Sequence, residues 1–321
     1  MVRGKSKKAS NGTGKWLSKP PLSHVRKAVS ESLDILQAQT QFGLQGGLQE
    51  LSSESLYKKL GERCEAINAR QPSPIRLIHH FACTGGTLIS KFIAASPNVR
   101  LISEVDPLSP IAKQQFSPLD LAAHFQQSST TMREDEKIEV FLATLSTINR
   151  QILLRGETLV LRDHPHSHFC TGDSIPNRPT LREIIAPHFP TISVVTVRHP
   201  LDSFLSLLSN GFTHFSPVSL EEYCVRYRAF LAAYATVPMV KYEDLLDDPE
   251  GYAPILCKEL EITYVADAWD WIGGVTLTGD SGRSGDIAIV RPRRDIPENI
   301  VEMRRNSTSY KDLCTQLDYA P

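Results

Sequence analysis

Two short segments carry residue types whose spacing fits anion chemistry. The first, HHFACTGGTLISK, reads as the end of a strand, a Gly-containing turn and the start of a helix. Gly85 and Gly86 lack a Cβ, so backbone N–H groups there can come close to an anion. Thr84 and Thr87 add hydroxyl donors, and the helix that follows offers unpaired N–H groups and the positive end of its dipole. The competing reading is a tight strand-to-helix turn that binds nothing, and these residues alone leave the two level. A Walker A loop is excluded, because no Lys follows a Gly as GxxxxGK[ST] requires. A cysteine-phosphatase loop fails too, since Ile89 stands where an Arg is needed after Cys83.

The second segment is TVRHPLDSFLSLLSNGF. Arg198 ends a strand, Pro200 opens a helix, and Ser206 lies about two turns in, on a face that can look back to the strand end. An Arg fork and a hydroxyl converging there suit a phosphate monoester. The alternative is an Arg198–Asp202 salt bridge at the helix start, and spacing does not decide between them. In LVLRDHPHSHF, His164 stands just past a strand, where an imidazole suits general-base work. Glu104, at the end of LISEV, is its rival. An extended His164-His166-His168 alternation would share one face, yet no carboxylate or Cys partner has a distinctive spacing, so a loop or satisfied hydrogen-bonding role is expected and no metal.

These residues need elements that bring strand ends together. Ile75–Phe81, 99–103, 158–162, 191–197 and VPMVKY read as strands, and TISVVTV is β-branched almost throughout, as a strand buried on both faces should be. Between them lie helical patterns over TLISKFIAA, Asp120–Gln127, Arg133–Arg155, LREIIAPHF, Leu201–Leu208 and Ser219–Ala235. Thr180 and Glu183 have capping-box spacing. The alternation implies an α/β domain of three layers, a central mainly parallel sheet flanked by helices.

The chain has 321 residues, 41% apolar and 22% charged, with a formal net charge of −1. A sizeable core is available, and broad electrostatic binding to nucleic acid or anionic membrane is disfavoured. Residues 1–21 read as a flexible basic leader, 22–72 as a helical N-terminal extension, and 73–321 as the α/β domain. The six cysteines form no CxxC pair, which favours reduced thiols in a cytoplasmic setting. No stretch reaches the length of an apolar membrane span, and the basic N-terminus lacks a signal peptide's apolar region. Oligomeric state is not legible.

HHFACTGGTLISK and VRHPLDSFLSLLS, followed by VKYEDLLDDPE, resemble the sulfotransferase family that uses 3′-phosphoadenosine 5′-phosphosulfate (PAPS). The resemblance covers roughly residues 75–295 and implies a P-loop-like fold without triphosphatase activity. It implies that Cys83, Thr84, Gly85, Gly86 and Thr87 bind the 5′-phosphosulfate, and that Arg198 and Ser206 bind the 3′-phosphate. It also implies that Arg283, in TGDSGRSGDIAIVRPRRDIP, closes over that phosphate, with Arg291, Arg293 and Arg294 downstream. The base would be His164, in an Arg-Asp-His run similar to the family's Lys-Thr-His, or else Glu104. The acceptor would be a hydroxyl or amine of a small molecule or glycan, with no metal. One departure stands out: Cys83 occupies a position where the family carries Lys or Arg. A compensating cation, with Arg162 and the C-terminal arginines as candidates, would restore the charge. Without one the chain would be a weak enzyme or a silent PAP/PAPS-binding protein. A nucleotide kinase is the remaining alternative, despite the missing Walker lysine. Tyr242 and Glu243 are expected to support the sheet.

Overall fold

The computed structural model describes residues 73–111, 131–278 and 295–321, all within the unit Ala66–Pro321. The leader, the N-terminal extension, the helix expected over Asp120–Gln127 and the segment holding Arg283, Arg291, Arg293 and Arg294 lie outside the described residues.

Among the described residues, five strands form one parallel sheet: β1 (Ile75–His80), β2 (Val99–Val105), β3 (Thr158–Asp163), β5 (Thr191–Val197) and β7 (Met239–Lys241). Their order is β2-β3-β1-β5-β7, so β1 is central and every residue of it is buried. Parallel pairing runs from Leu77 to Leu161 on one side of β1 and from His80 to Thr196 on the other. A two-residue pair, β4 (Thr171–Gly172) with β6 (His214–Phe215), forms a separate small sheet.

Side-chain alternation along β1 divides the core. Ile78 joins Val160 and Val194 against Ile89, Phe92 and Ile93 of α1 (Gly86–Ala95) and Leu256 of α8 (Pro249–Glu259). Ile75 and Leu77 join Leu159 and Leu161 on the opposite face. There they meet Leu145 and Ile152 of α2 (Glu134–Leu154) and Leu181 and Ile185 of α4 (Leu181–Ile185). Val195 and Val197 pack with α5 (Pro200–Asn210), α6 (Leu220–Ala233) and the C-terminal α11 (Thr308–Gln316). This is the expected sheet with helices on both faces.

Local signals act as written in the sequence. The Thr180 hydroxyl accepts from the Glu183 N–H while Glu183 reaches back to the Thr180 N–H at 2.8 Å, completing the capping box. His164, His166 and His168 do not alternate on an extended segment, because Pro165 occupies the first position of α3 (Pro165–Phe169) with His164 as its N-cap. The His164 and His166 rings lie stacked with centroids 5.9 Å apart, while His168 hydrogen-bonds the Pro176 carbonyl. YEDL also begins a helix, α7 (Tyr242–Asp247), rather than extending the strand.

Candidate active site

The carboxyl ends of β1, β2, β3 and β5 converge on the start of α1, the crevice where parallel α/β sheets bind ligands. Gly85 caps α1 with φ of 89°, no side chain caps the helix, and its first turn contains no acidic residue. The helix thus opens with its donors and its dipole uncountered by a carboxylate. The loop is closely walled. A Cβ at Gly85 would lie 2.2 Å from the Tyr242 ring, and one at Gly86 would lie 2.3 Å from the His80 ring. Cys83 is half-buried and holds a left-handed backbone with φ of 63°, a conformation uncommon outside glycine.

Two guanidinium groups touch this loop from opposite ends. Arg198 leaves β5 and donates through Nη1 to the Cys83 carbonyl at 3.2 Å. Its carbon Cζ lies 5.0 Å from the centroid of the Tyr242 ring, within cation–π range. The Arg198 backbone N–H donates to the Tyr227 hydroxyl, which fixes the turn. Ser206 is buried on α5, one helical turn before Asn210. The Asn210 amide reaches both the Ser206 hydroxyl at 3.5 Å and the Cys83 sulfur at 3.9 Å. Arg198, Ser206 and the Cys83 loop are therefore one cluster.

Arg162, buried on β3, approaches from the other end. It donates to His80 Nε2 at 2.9 Å, to the Ser103 hydroxyl at 3.0 Å and to the Thr87 hydroxyl at 3.4 Å, and its Nη2 pairs with Glu104 at 2.9 Å. Glu104 sits at a register shift near the end of β2, with φ of 61°. Such irregularities re-aim side chains, and here the carboxylate also contacts His164 Nε2 at 2.8 Å. His164 and Glu104, rivals in the sequence, are a hydrogen-bonded pair.

Charge in this cluster is unevenly held. Burial alone would raise the Glu104 carboxyl, but the His164 hydrogen bond and the Arg162 charge bring it below its ordinary value. Burial, reinforced by Arg162 and His164, pushes His80 well below the ordinary imidazole value, so it is neutral. Its Nε2 then accepts from Arg162 and the proton resides on Nδ1. Beyond His164, burial and the neighbouring His164 and His214 push His166 down to about 3. Among the described residues no three His, Cys, Asp or Glu side chains are gathered as a metal site. Among them, too, no helix is long and apolar enough to cross a membrane.

Sequence reasoning passed over three contributors. Asn210 was findable, lying one helical turn beyond Ser206. His80 stands in the same segment just before the loop, but no spacing shows its ring lying against Gly86, and Tyr242 reaches Gly85 from the start of α7, distant in sequence. Glu243 accepts the His199 backbone N–H at 3.0 Å and so braces the turn after Arg198.

The chain is similar to the sulfotransferase domain from the curacin biosynthetic pathway, at 15% identity over 78% of this chain and 99% of that one, with a TM-score of 0.47. It is also similar to the sulfotransferase domain of the Synechococcus PCC 7002 olefin synthase, at 17% identity over 78% and 96%, with a TM-score of 0.45. A third is mouse sulfotransferase SULT7A1 complexed with PAP, at 12% identity over 80% and 93%, with a TM-score of 0.38. No curated protein matches the chain in sequence. Residues 78–267, which carry the Cys83–Thr87 loop, the Arg162–His164 run and the Arg198–Ser206 turn, match the model of the sulfotransferase family; the match spans more than half of the chain, and the protein belongs to that family.

Proposed function

We propose that the protein transfers a sulfuryl group from PAPS to a hydroxyl or amine acceptor. The observation that carries this reading is the joining of two anion-binding elements: Arg198 bonds the Cys83 carbonyl, and Asn210 spans Ser206 and Cys83. An uncapped helix start flanked by two arginines fits a phosphosulfate and repels cations. Arg198 and Ser206 would hold the 3′-phosphate, and the backbone of Gly85–Thr87 with the Thr84 and Thr87 hydroxyls would hold the 5′-phosphosulfate. When bound, PAPS supplies a sulfur whose bond to the phosphate oxygen breaks as the acceptor oxygen or nitrogen bonds to it in line.

The chain's residues have separate tasks in that step. His164 takes the acceptor proton, and Glu104 orients the ring by accepting from Nε2–H, which leaves Nδ1 as the proton acceptor. Glu104, held below its ordinary carboxylate value, serves as the orienter. Arg162 supplies positive charge beside Thr87, where Cys83 supplies none.

A second reading, a silent PAP/PAPS-binding protein, draws on Cys83 and on the pairing of Arg162 with Glu104, which spends part of the cation's charge. Stabilisation by PAP in a thermal melt is expected under both. Transfer of labelled sulfate from PAPS to a panel of phenolic, alcoholic, amine and glycan acceptors separates them. Absence of any PAP effect on the wild type would sink both.

A further inference from the structure

We propose that His80 is a positioning residue: it holds the Arg162 guanidinium facing Thr87 through an uncharged acceptor, so that the cation's charge stays available to an anion at the start of α1. This rests on the sulfotransferase reading for its consequence, though not for its geometry. Arg162 is gripped at all three nitrogens, by His80 at Nε, Ser103 at Nη1, and Thr87 with Glu104 at Nη2. Of these acceptors Glu104 is a carboxylate and cancels charge; the others only orient.

His80 is the partner best placed to orient without cancelling. It is the last residue of β1, the strand that leads directly into the loop, and it is paired in register with Thr196 of β5. Its ring is buried and lies where a side chain at position 86 would stand, 2.3 Å from the Cβ that Gly86 lacks. The ring is thus wedged between the loop and Arg162, and Gly86 is what makes room for it. Burial and the adjoining guanidinium keep the imidazole neutral, and a neutral Nε2 is the acceptor the Arg162 Nε–H requires. A protonated ring would present a donor to a donor. A rigid fork fixed from the loop's own strand meets the demand for a preorganised charge in group transfer.

The test uses the full chain with His80→Leu, which removes the acceptor, and His80→Gln, which can restore one. Two readouts are taken. The first is the Arg162 side-chain Nε–H resonance in arginine-labelled protein, assigned by its loss in Arg162→Lys. It should be slow to exchange in the wild type, fast in His80→Leu and slow again in His80→Gln. Gly86→Ala, whose methyl presses on the ring, should speed exchange as well. The second is kinetic. His80→Leu should lower kcat by about 10- to 100-fold while PAP affinity stays within about threefold, and His80→Gln should recover most of the loss. An unchanged Arg162 resonance in His80→Leu overturns the positioning role. So does a kcat equal to the wild type, or a His80→Gln protein no better than His80→Leu. If the wild type transfers no sulfate to any acceptor, the functional reading fails, and the resonance still decides the positioning.

Discussion

At the scale of residues, the two arginines that touch the Cys83–Thr87 loop are not equivalent. Arg198 is partly exposed and stacks on Tyr242, whereas Arg162 is buried and paired with Glu104. Arg198→Ala should therefore act on binding. Losing a charge-assisted contact to a phosphate costs about 1.5–3 kcal/mol, so PAP affinity measured by calorimetry should fall by roughly 10- to 150-fold. Ser206→Ala removes one neutral hydroxyl and should cost about 0.5–1.5 kcal/mol. Equal affinities for Arg198→Ala and wild type would remove Arg198 from the phosphate site. His164 and Glu104 should split by kinetics instead. His164→Ala should lower kcat by about 10²–10⁴-fold with PAP affinity nearly unchanged. Glu104→Gln keeps a hydrogen-bond acceptor and should fall between that variant and the wild type. If Glu104→Gln loses more turnover than His164→Ala, the assignment of base and orienter is reversed.

At the scale of elements, the site depends on a few turns whose backbones are pinned by neighbours. Gly85 combines a left-handed φ of 89° with a Tyr242 ring only 2.2 Å from any added Cβ. Gly211, the C-cap of α5, has φ of 67° but open space around it. Gly85→Ala should thus bear both backbone strain and a clash with a buried ring, and Gly211→Ala the strain alone, on the order of 1 kcal/mol. Thermal melts should show a clearly larger loss for Gly85→Ala, accompanied by loss of PAP stabilisation; equal melting temperatures would mean Tyr242 yields freely. The elements themselves were largely legible. TISVVTV became β5 over the same residues, and Thr180 with Glu183 capped α4 as their spacing required. These signals are local: β-branching, burial periodicity and a hydrogen bond three residues away. What escaped was set by tertiary contact. The Tyr242 ring over Gly85 and the bulge that turns Glu104 toward His164 arise from how distant elements are placed together, which no single segment encodes. Pro165 was a readable helix start, although no helix was expected over 165–169.

At the scale of the whole molecule, the carboxyl edge of the sheet gathers imidazoles that folding keeps neutral, and this gives stability a pH dependence of definite sign. Burial pushes His80 well below the ordinary value of 6.5, lowers His168, and takes His166 down to about 3 with help from His164 and His214. In the unfolded chain these groups protonate near 6.5, while in the folded protein His166 stays neutral to about 3. Between those values the unfolded state binds more protons, so stability is full above about 6.5 and falls as the pH drops. Each such group contributes at most about 1.4 kcal/mol per pH unit in that window. Glu104 and Asp106 are held below their ordinary values of 4.5 and 3.8 despite burial, by His164 and Arg162 in one case and by Arg178 and Ser167 in the other. Their stabilisation is present above those values and fails only in stronger acid, so the decline between pH 6.5 and 5 belongs to the histidines. Urea midpoints should be level from pH 8 to 7 and then fall, and His166→Gln should flatten the slope by up to one proton. A His166→Gln slope identical to that of the wild type would show that His166 is not neutral in the folded chain.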